Sequence, residues 1–233
     1  MQTGSQLRSN GLSDSNERPL RLFVALELPE SVRAATAAWA AAELGAIGPL
    51  RPVRVAGLHV TLCFLGSTAG AEVEAIGACC RGACAGHGPL RLSIGGLLAL
   101  PRRRPRAVTV RVGDVRHGEL IELQRGLAGA LAAGGWYRPE PRPFLAHVTV
   151  ARVRSGARLD ARTLHEPGLG RPGLGQPGLG QGQPGPGQPG LGIAPLAEPL
   201  PLAFTADVVT LFESRTQPDG AVYLPRARIE LAA

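Results

Sequence analysis

Two tetrapeptides of this chain carry groups suited to proton transfer: His59-Val60-Thr61-Leu62 and His147-Val148-Thr149-Val150. An imidazole titrates near pH 6.5, so one copy can be neutral and accept a proton while another, beside an anion, is protonated and gives one up. In an extended strand alternate side chains share a face, so His and Thr project together and the two aliphatics project to the other side. Each motif therefore sets a titratable ring beside a hydroxyl and anchors both in a core. Placed on opposite sides of one phosphorus, the rings would act as general base and general acid for in-line displacement at a phosphodiester, each contributing about 10² to 10⁴ in rate. The hydroxyls would donate hydrogen bonds to the nonbridging oxygens. This scheme calls for no metal and no cofactor.

One such histidine alone would read as a hydrogen-bonded sheet residue. The repetition reverses that weighting: the Thr content gives each of the five histidines about a 4% chance of a Thr two places on, so two matches with apolar neighbours fall below about 0.1%. His117 and His165 have no such partner and read as surface residues, and His87 follows the cysteine cluster without the spacing of a zinc site. Cys63, Cys79, Cys80 and Cys84 are bunched in the first half of the chain and lack both the paired spacing of a zinc site and the spread of a disulfide framework, so they read as reduced thiols.

Alternating and helical patterns supply the elements that would hold the motifs. Strands are predicted at Leu20–Leu28, Leu58–Leu65, Leu90–Leu100, Arg106–Val112, Leu145–Val153, Leu202–Phe212 and Ala221–Ile229. Helices are predicted from Pro29 to about Leu44, from about Ala71 to Ala85, and over 117–133, where Leu120, Leu123, Leu127 and Leu131 keep helical spacing. The interleaving implies an α+β protein with mixed or antiparallel sheets.

The chain has 233 residues, 44% of them hydrophobic, enough for a packed core and too much for a disordered protein. Residues 167–192 are the exception, holding 17 of the 53 Gly and Pro with four leucines and one charge, too little apolar surface to offset the entropy of ordering them. We expect a flexible tail over 1–18 and a disordered insertion over about 165–194 within a domain spanning 19–233. No stretch approaches the roughly 18 apolar residues of a spanning helix. The first nineteen residues are polar and lack the apolar core of a secretory signal, so the expected location is the cytoplasm. All 25 basic residues are arginine and the net charge is +7, which permits an anionic partner without requiring one. The run Arg102, Arg103, Arg104 and Arg106 lies between two predicted strands, either as an RNA-facing loop or as a solvated turn.

The paired motifs resemble those of the 2H phosphoesterase superfamily. So do the opening Arg21-Leu22-Phe23-Val24-Ala25-Leu26-Glu27-Leu28-Pro29, the Phe64-Leu65-Gly66 that follows the first motif, and the Arg142-Pro143-Phe144 and Ala151-Arg152 that flank the second. Within it the chain is most similar to the RNA 2′,3′-cyclic phosphodiesterases, historically described as 2′-5′ RNA ligases. The closing Leu211-Phe212-Glu213-Ser214 and Tyr223 fit the same group. The resemblance covers residues 19 to about 155 and 200 to 230. It implies a bilobal α+β fold, with two pseudo-twofold lobes of sheet, helices outside and a central cleft. It also implies metal-independent opening of a terminal 2′,3′-cyclic phosphate on RNA to a 2′-phosphate, by a monomer. By the same resemblance His59 matches the proton donor, His147 the proton acceptor, Thr61 and Thr149 the phosphate-binding threonines, and Arg152 a basic residue near the phosphate. The two motifs are chemically alike, so the residues alone leave the donor and acceptor interchangeable. Regular strand parity would put Arg152 on the face opposite His147 and Thr149, so a bulge or strand end is required there. Cys63 stands where the family often has Lys or Arg, on the site face, and is expected to remove a phosphate contact. The alternatives are activity on small cyclic phosphates or 2′-5′ linkages, and an RNA-end binding protein with little turnover.

Overall fold

The computed structural model describes residues 19–116, 118–160, 164, 202–217 and 220–232. The expected tail over 1–18 and insertion over 165–194, together with His117 and His165, lie outside the described residues.

Alternation at Leu20–Glu27 forms β1, and Pro29 then caps helix α1 (Glu30–Leu44), its carbonyl accepting the Arg33 N–H at 2.9 Å. Next come β2 (Leu50–Pro52), β3 (His59–Thr68), α2 (Val73–Cys84), β4 (Leu90–Leu100), β5 (Ala107–Asp114) and α3 (Glu119–Ala133). The chain continues through β6 (His147–Val153), β7 (Leu202–Ala206), β8 (Val208–Gln217) and β9 (Gly220–Glu230). The predicted strand Leu202–Phe212 is two strands: the chain breaks at Asp207, whose carbonyl takes the Leu231 N–H at 2.7 Å. The apolar run on both sides of Asp207 hides that break from periodicity. The short strand β2 has no alternation of its own and escapes sequence reading.

Among the described residues the strands form one sheet in the order β7-β4-β5-β6-β3-β1-β8-β9, with β2 also paired to β6. Every pairing is antiparallel, so the parallel component allowed by the sequence is not used. The sheet divides into two halves, β7-β4-β5-β6 and β3-β1-β8-β9, that meet where β6 and β3 share the single pair Val60↔Val148. So thin a seam needs support from below. Helix α1, which leaves the β1 half, packs against β2 and β6; α3, which leaves the β5 half, packs against β3 and α2. Each helix thus crosses beneath the other half and ties the two together.

The core lies between sheet and helices. Leu120, Leu123, Leu127 and Leu131 are the buried stripe of α3, and Ile76, Gly77, Cys80 and Cys84 that of α2. Val60, Leu62, Val148 and Val150 are at most 3% exposed, each burial contributing about 1.5 to 3 kcal/mol. The opposite face of the sheet is left for chemistry.

Candidate active site

The seam brings the two motifs together. Extending the antiparallel pair Val60↔Val148 by one residue each way sets His59 opposite Thr149 and Thr61 opposite His147, all four on the face away from the helices. This is the pseudo-twofold arrangement that the resemblance implied. All four are half-buried, with the aliphatic residue between each His and Thr at 0% exposure.

Both motif strands carry a bulge at the fourth motif residue. In the first half Ala25 pairs with Thr61 and Val24 with Cys63, skipping Leu62. In the second Thr109 pairs with Thr149 and Val108 with Ala151, skipping Val150. A bulge inserts one residue into one strand and reverses its parity beyond that point. Arg152 is thereby returned to the face of His147 and Thr149, where it is exposed. Cys63 goes the other way. It lies in the core at 1% exposure, and burial pushes its thiol up to about 12. The expectation that Cys63 occupies the site face and deletes a phosphate contact is therefore wrong, because the bulge turns it inward. The counterpart of Arg152 in the first half is Phe64, paired with Phe23 as Arg152 is paired with Ala107.

The histidines share one anchoring device. His147 Nδ1 lies 2.7 Å from the carbonyl oxygen of Leu145, two residues back. A carbonyl only accepts, so Nδ1 carries a proton and donates it, which leaves Nε2 as the nitrogen free to exchange a proton. The His59 ring is also hydrogen-bonded to the backbone two residues before it, at Gly57. Their surroundings differ. The His59 ring sits 4.9 Å from the Phe23 ring, 5.1 Å from Tyr223 in an edge-on contact and 6.2 Å from Phe212. Burial in this aromatic box lowers the His59 pKa to about 4; the Gly57 bond opposes the shift, while the nearby charges of Arg152 and His147 reinforce it. That coupling ties Arg152, His147 and His59 to one locus.

Flanking charges differ as well. Glu27 pairs across β1 with His59, and Arg111 pairs across β5 with His147. The Glu27 carboxylate is engaged elsewhere, accepting from Thr210 Oγ1 at 2.5 Å and ion-pairing with Arg228 at 3.2 Å and Arg33 at 3.8 Å. Arg111 is exposed. Beside the histidines opens a cavity of about 370 Å³ lined by Arg51, Arg54, Gly57, Arg152, Gly220 and Tyr223, among others. A larger depression of about 480 Å³, at Arg81, Arg228, Ile229 and Glu230, contains none of the motif residues. Among the described residues no group of His, Cys, Asp and Glu is arranged to hold a metal ion.

The aromatic wall has almost no trace in the sequence. Phe23 reads as core, and nothing in the spacing of Phe212 or Tyr223 links them to His59; their signals are the family resemblance of their segments and an aromatic content of only 4%. The arginines Arg51, Arg54 and Arg111 likewise carry no motif. The basic run at Arg102–Arg104 and Arg106 is exposed on the β4–β5 connection, where the Arg106 carbonyl accepts from Val153 N–H at 2.9 Å, next to Arg152. Cys79, Cys80 and Cys84 are free thiols of α2, the last two buried.

Comparison with known proteins is consistent with this geometry. Residues 26–109 match the model of a family described as LigT like phosphoesterase. An RNA 2′,3′-cyclic phosphodiesterase of Aeropyrum pernix is 34% identical over 123 residues, covering 52% of this chain and 68% of the relative. A protein of the same name from Archaeoglobus fulgidus is 31% identical over 136 residues, covering 58% of this chain and 73% of the relative. Among solved structures, TT0787 of Thermus thermophilus superimposes with a TM-score of 0.66 at 22% identity, covering 91% of this chain and 98% of its own. Escherichia coli LigT complexed with 3′-AMP gives a TM-score of 0.61 at 22% identity over 92% of this chain and 99% of its own.

Proposed function

The chain belongs to the LigT-like phosphoesterase family, and we infer that it hydrolyses the 2′,3′-cyclic phosphate at the end of an RNA, with His59 and His147 as its acid and base. The observation that carries the reading is the Val60↔Val148 pair, which gathers two imidazoles and two threonine hydroxyls from distant parts of the sequence on one open face. A phosphate seated between them receives hydrogen bonds from Thr61 and Thr149, and Arg152 adds a cation at its edge.

Water attacks phosphorus while His147 Nε2 takes its proton. The bond from phosphorus to O3′ breaks, His59 protonates O3′, and the phosphate remains on O2′. His59 is neutral in the empty site at neutral pH, since its box holds its pKa near 4. The anionic phosphate offsets Arg152 and favours the imidazolium, so His59 becomes a donor only with substrate in place. Both motifs come from one chain, which supports a working monomer. Four free thiols fit a reducing compartment and the expected cytoplasmic location. No described helix is long and apolar enough to cross a membrane.

The test is incubation of the purified protein, in EDTA, with an RNA ending in 2′,3′-cyclic phosphate, followed by identification of the product. The expected product carries a 2′-phosphate, and neither His59→Ala nor His147→Ala makes it at an appreciable rate. A 3′-phosphate product, or turnover that survives either substitution, would overturn the reading.

A further inference from the structure

The cavity beside the histidines is lined by more arginines than one cyclic phosphate requires. Arg51 is paired with Arg152 across β2 and β6, so the two guanidinium groups spring from neighbouring positions on the same face. Like charges placed directly opposite each other are destabilising in a sheet. Neither Arg51 nor Arg152 has an acidic partner among the described residues, and Arg54 lines the same cavity. Arg51 and Arg152 side by side on the wall of a cavity of about 370 Å³, which Arg54 also lines, are a poor arrangement for an empty site and a good one for an anion.

Arg152 is already accounted for, because its charge is felt at His59. Arg51 lies one strand further out. At the far wall Gly220 has φ +121°, and a Cβ there would come within 3.2 Å of Arg51 Nη2, so the glycine leaves room for the guanidinium beside the β8–β9 hairpin. The near wall is Gly57, whose backbone anchors the His59 ring, together with Tyr223, whose ring meets His59 edge-on. The cavity therefore begins where the reaction site ends.

We propose that this cavity is a second phosphate subsite, in which Arg51 and Arg54 hold the phosphodiester one nucleotide upstream of the reacting cyclic phosphate. The enzyme then selects the ends of oligonucleotides over cyclic mononucleotides. The proposal rests on the reading of His59 and His147 as a phosphodiesterase pair. A chain leaving the site in the other direction would instead pass Phe64, 46% exposed, with the Arg21 guanidinium 4.9 Å from its ring centre.

The experiment measures kcat/KM on a trinucleotide ending in 2′,3′-cyclic phosphate and on the matching cyclic mononucleotide, for the wild type, Arg51→Ala/Arg54→Ala and Arg21→Ala/Phe64→Ala. The wild type should prefer the trinucleotide. The Arg51/Arg54 variant should lose that preference by about tenfold or more, mainly through KM. Its salt dependence on the trinucleotide should become shallower by about 0.7 in the log–log slope for each phosphate no longer neutralised, a change that a merely structural role for the arginines would not produce. Equal losses on both substrates, no loss on either, or loss of preference only in the Arg21/Phe64 variant would overturn the subsite. Should the wild type turn over neither substrate, the phosphodiesterase reading fails. Anisotropy of a labelled trinucleotide ending in 3′-phosphate then decides the subsite: tenfold weaker binding by the Arg51/Arg54 variant supports it, and unchanged binding refutes it.

Discussion

His59 and His147 occupy matching places in the two halves of the sheet, each three residues before the bulged position of its strand and each bonded to the backbone two residues behind it. Around the first, Phe23, Phe212 and Tyr223 close an aromatic box. Around the second stands Arg111 in the neighbouring strand, and the ring is tethered to an exposed loop carbonyl at Leu145. The position five residues past each histidine is Phe64 in one half and Arg152 in the other. A duplicated motif thus supplies two imidazoles in unequal surroundings, which under the proposed mechanism divide the labour between them. Burial disfavours charge on His59 until an anion arrives.

The comparison breaks most severely if either ring is dispensable. His59→Ala and His147→Ala should each lower turnover of cyclic-phosphate-ended RNA by about 10² to 10⁴, read by single-turnover product analysis. A much smaller loss for one of them would mean that only the other half does the proton chemistry. The bulge is tested next. Cys63→Lys should cost about 3 to 5 kcal/mol in denaturant unfolding, because it buries an unpaired charge, and should not tighten phosphate binding. A stable variant with tighter binding would return position 63 to the site face.

The aromatic box has a signature in pH. Between about pH 6.5 and about 4 the unfolded His59 takes up a proton that the folded ring refuses, so stability should fall as pH drops through that window and stop falling from this source below it. His59→Gln should flatten that part of the curve in urea titrations; an unchanged slope would deny the box its effect. The mildest probe makes the halves more alike. Phe64→Arg places a cation where Arg152 has its counterpart, and should change stability by no more than about 0.5 kcal/mol while tightening inorganic phosphate a few-fold in calorimetry. Precipitous unfolding would show Phe64 to be part of the core.

Much of this is legible from the chain because it depends on short-range pattern. His-Val-Thr in an extended segment orients ring and hydroxyl together wherever the strand ends up, and the leucines of α3 declare a buried stripe by spacing alone. The parity at Arg152 demands a bulge, and β6 has one. Nothing in the residues of β3 demands its bulge, so that strand reads as regular and Cys63 falls on the wrong face. The division of Leu202–Phe212 into β7 and β8 is hidden because each half is apolar and only the change of sheet neighbour at Asp207 separates them.

Residue types and their periodicity were sufficient to single out the candidate reacting groups, the strands that carry them and the faces on which His and Thr must lie, since all of these follow from neighbours within a few bonds. The tertiary structure alone decided that Val60 meets Val148, that Leu62 and Val150 bulge, that Phe212 and Tyr223 wall His59, and that Arg51 stands beside Arg152. Each of those depends on the register between segments remote in sequence, and register is set by the packing of the whole sheet against its helices, which no local pattern encodes.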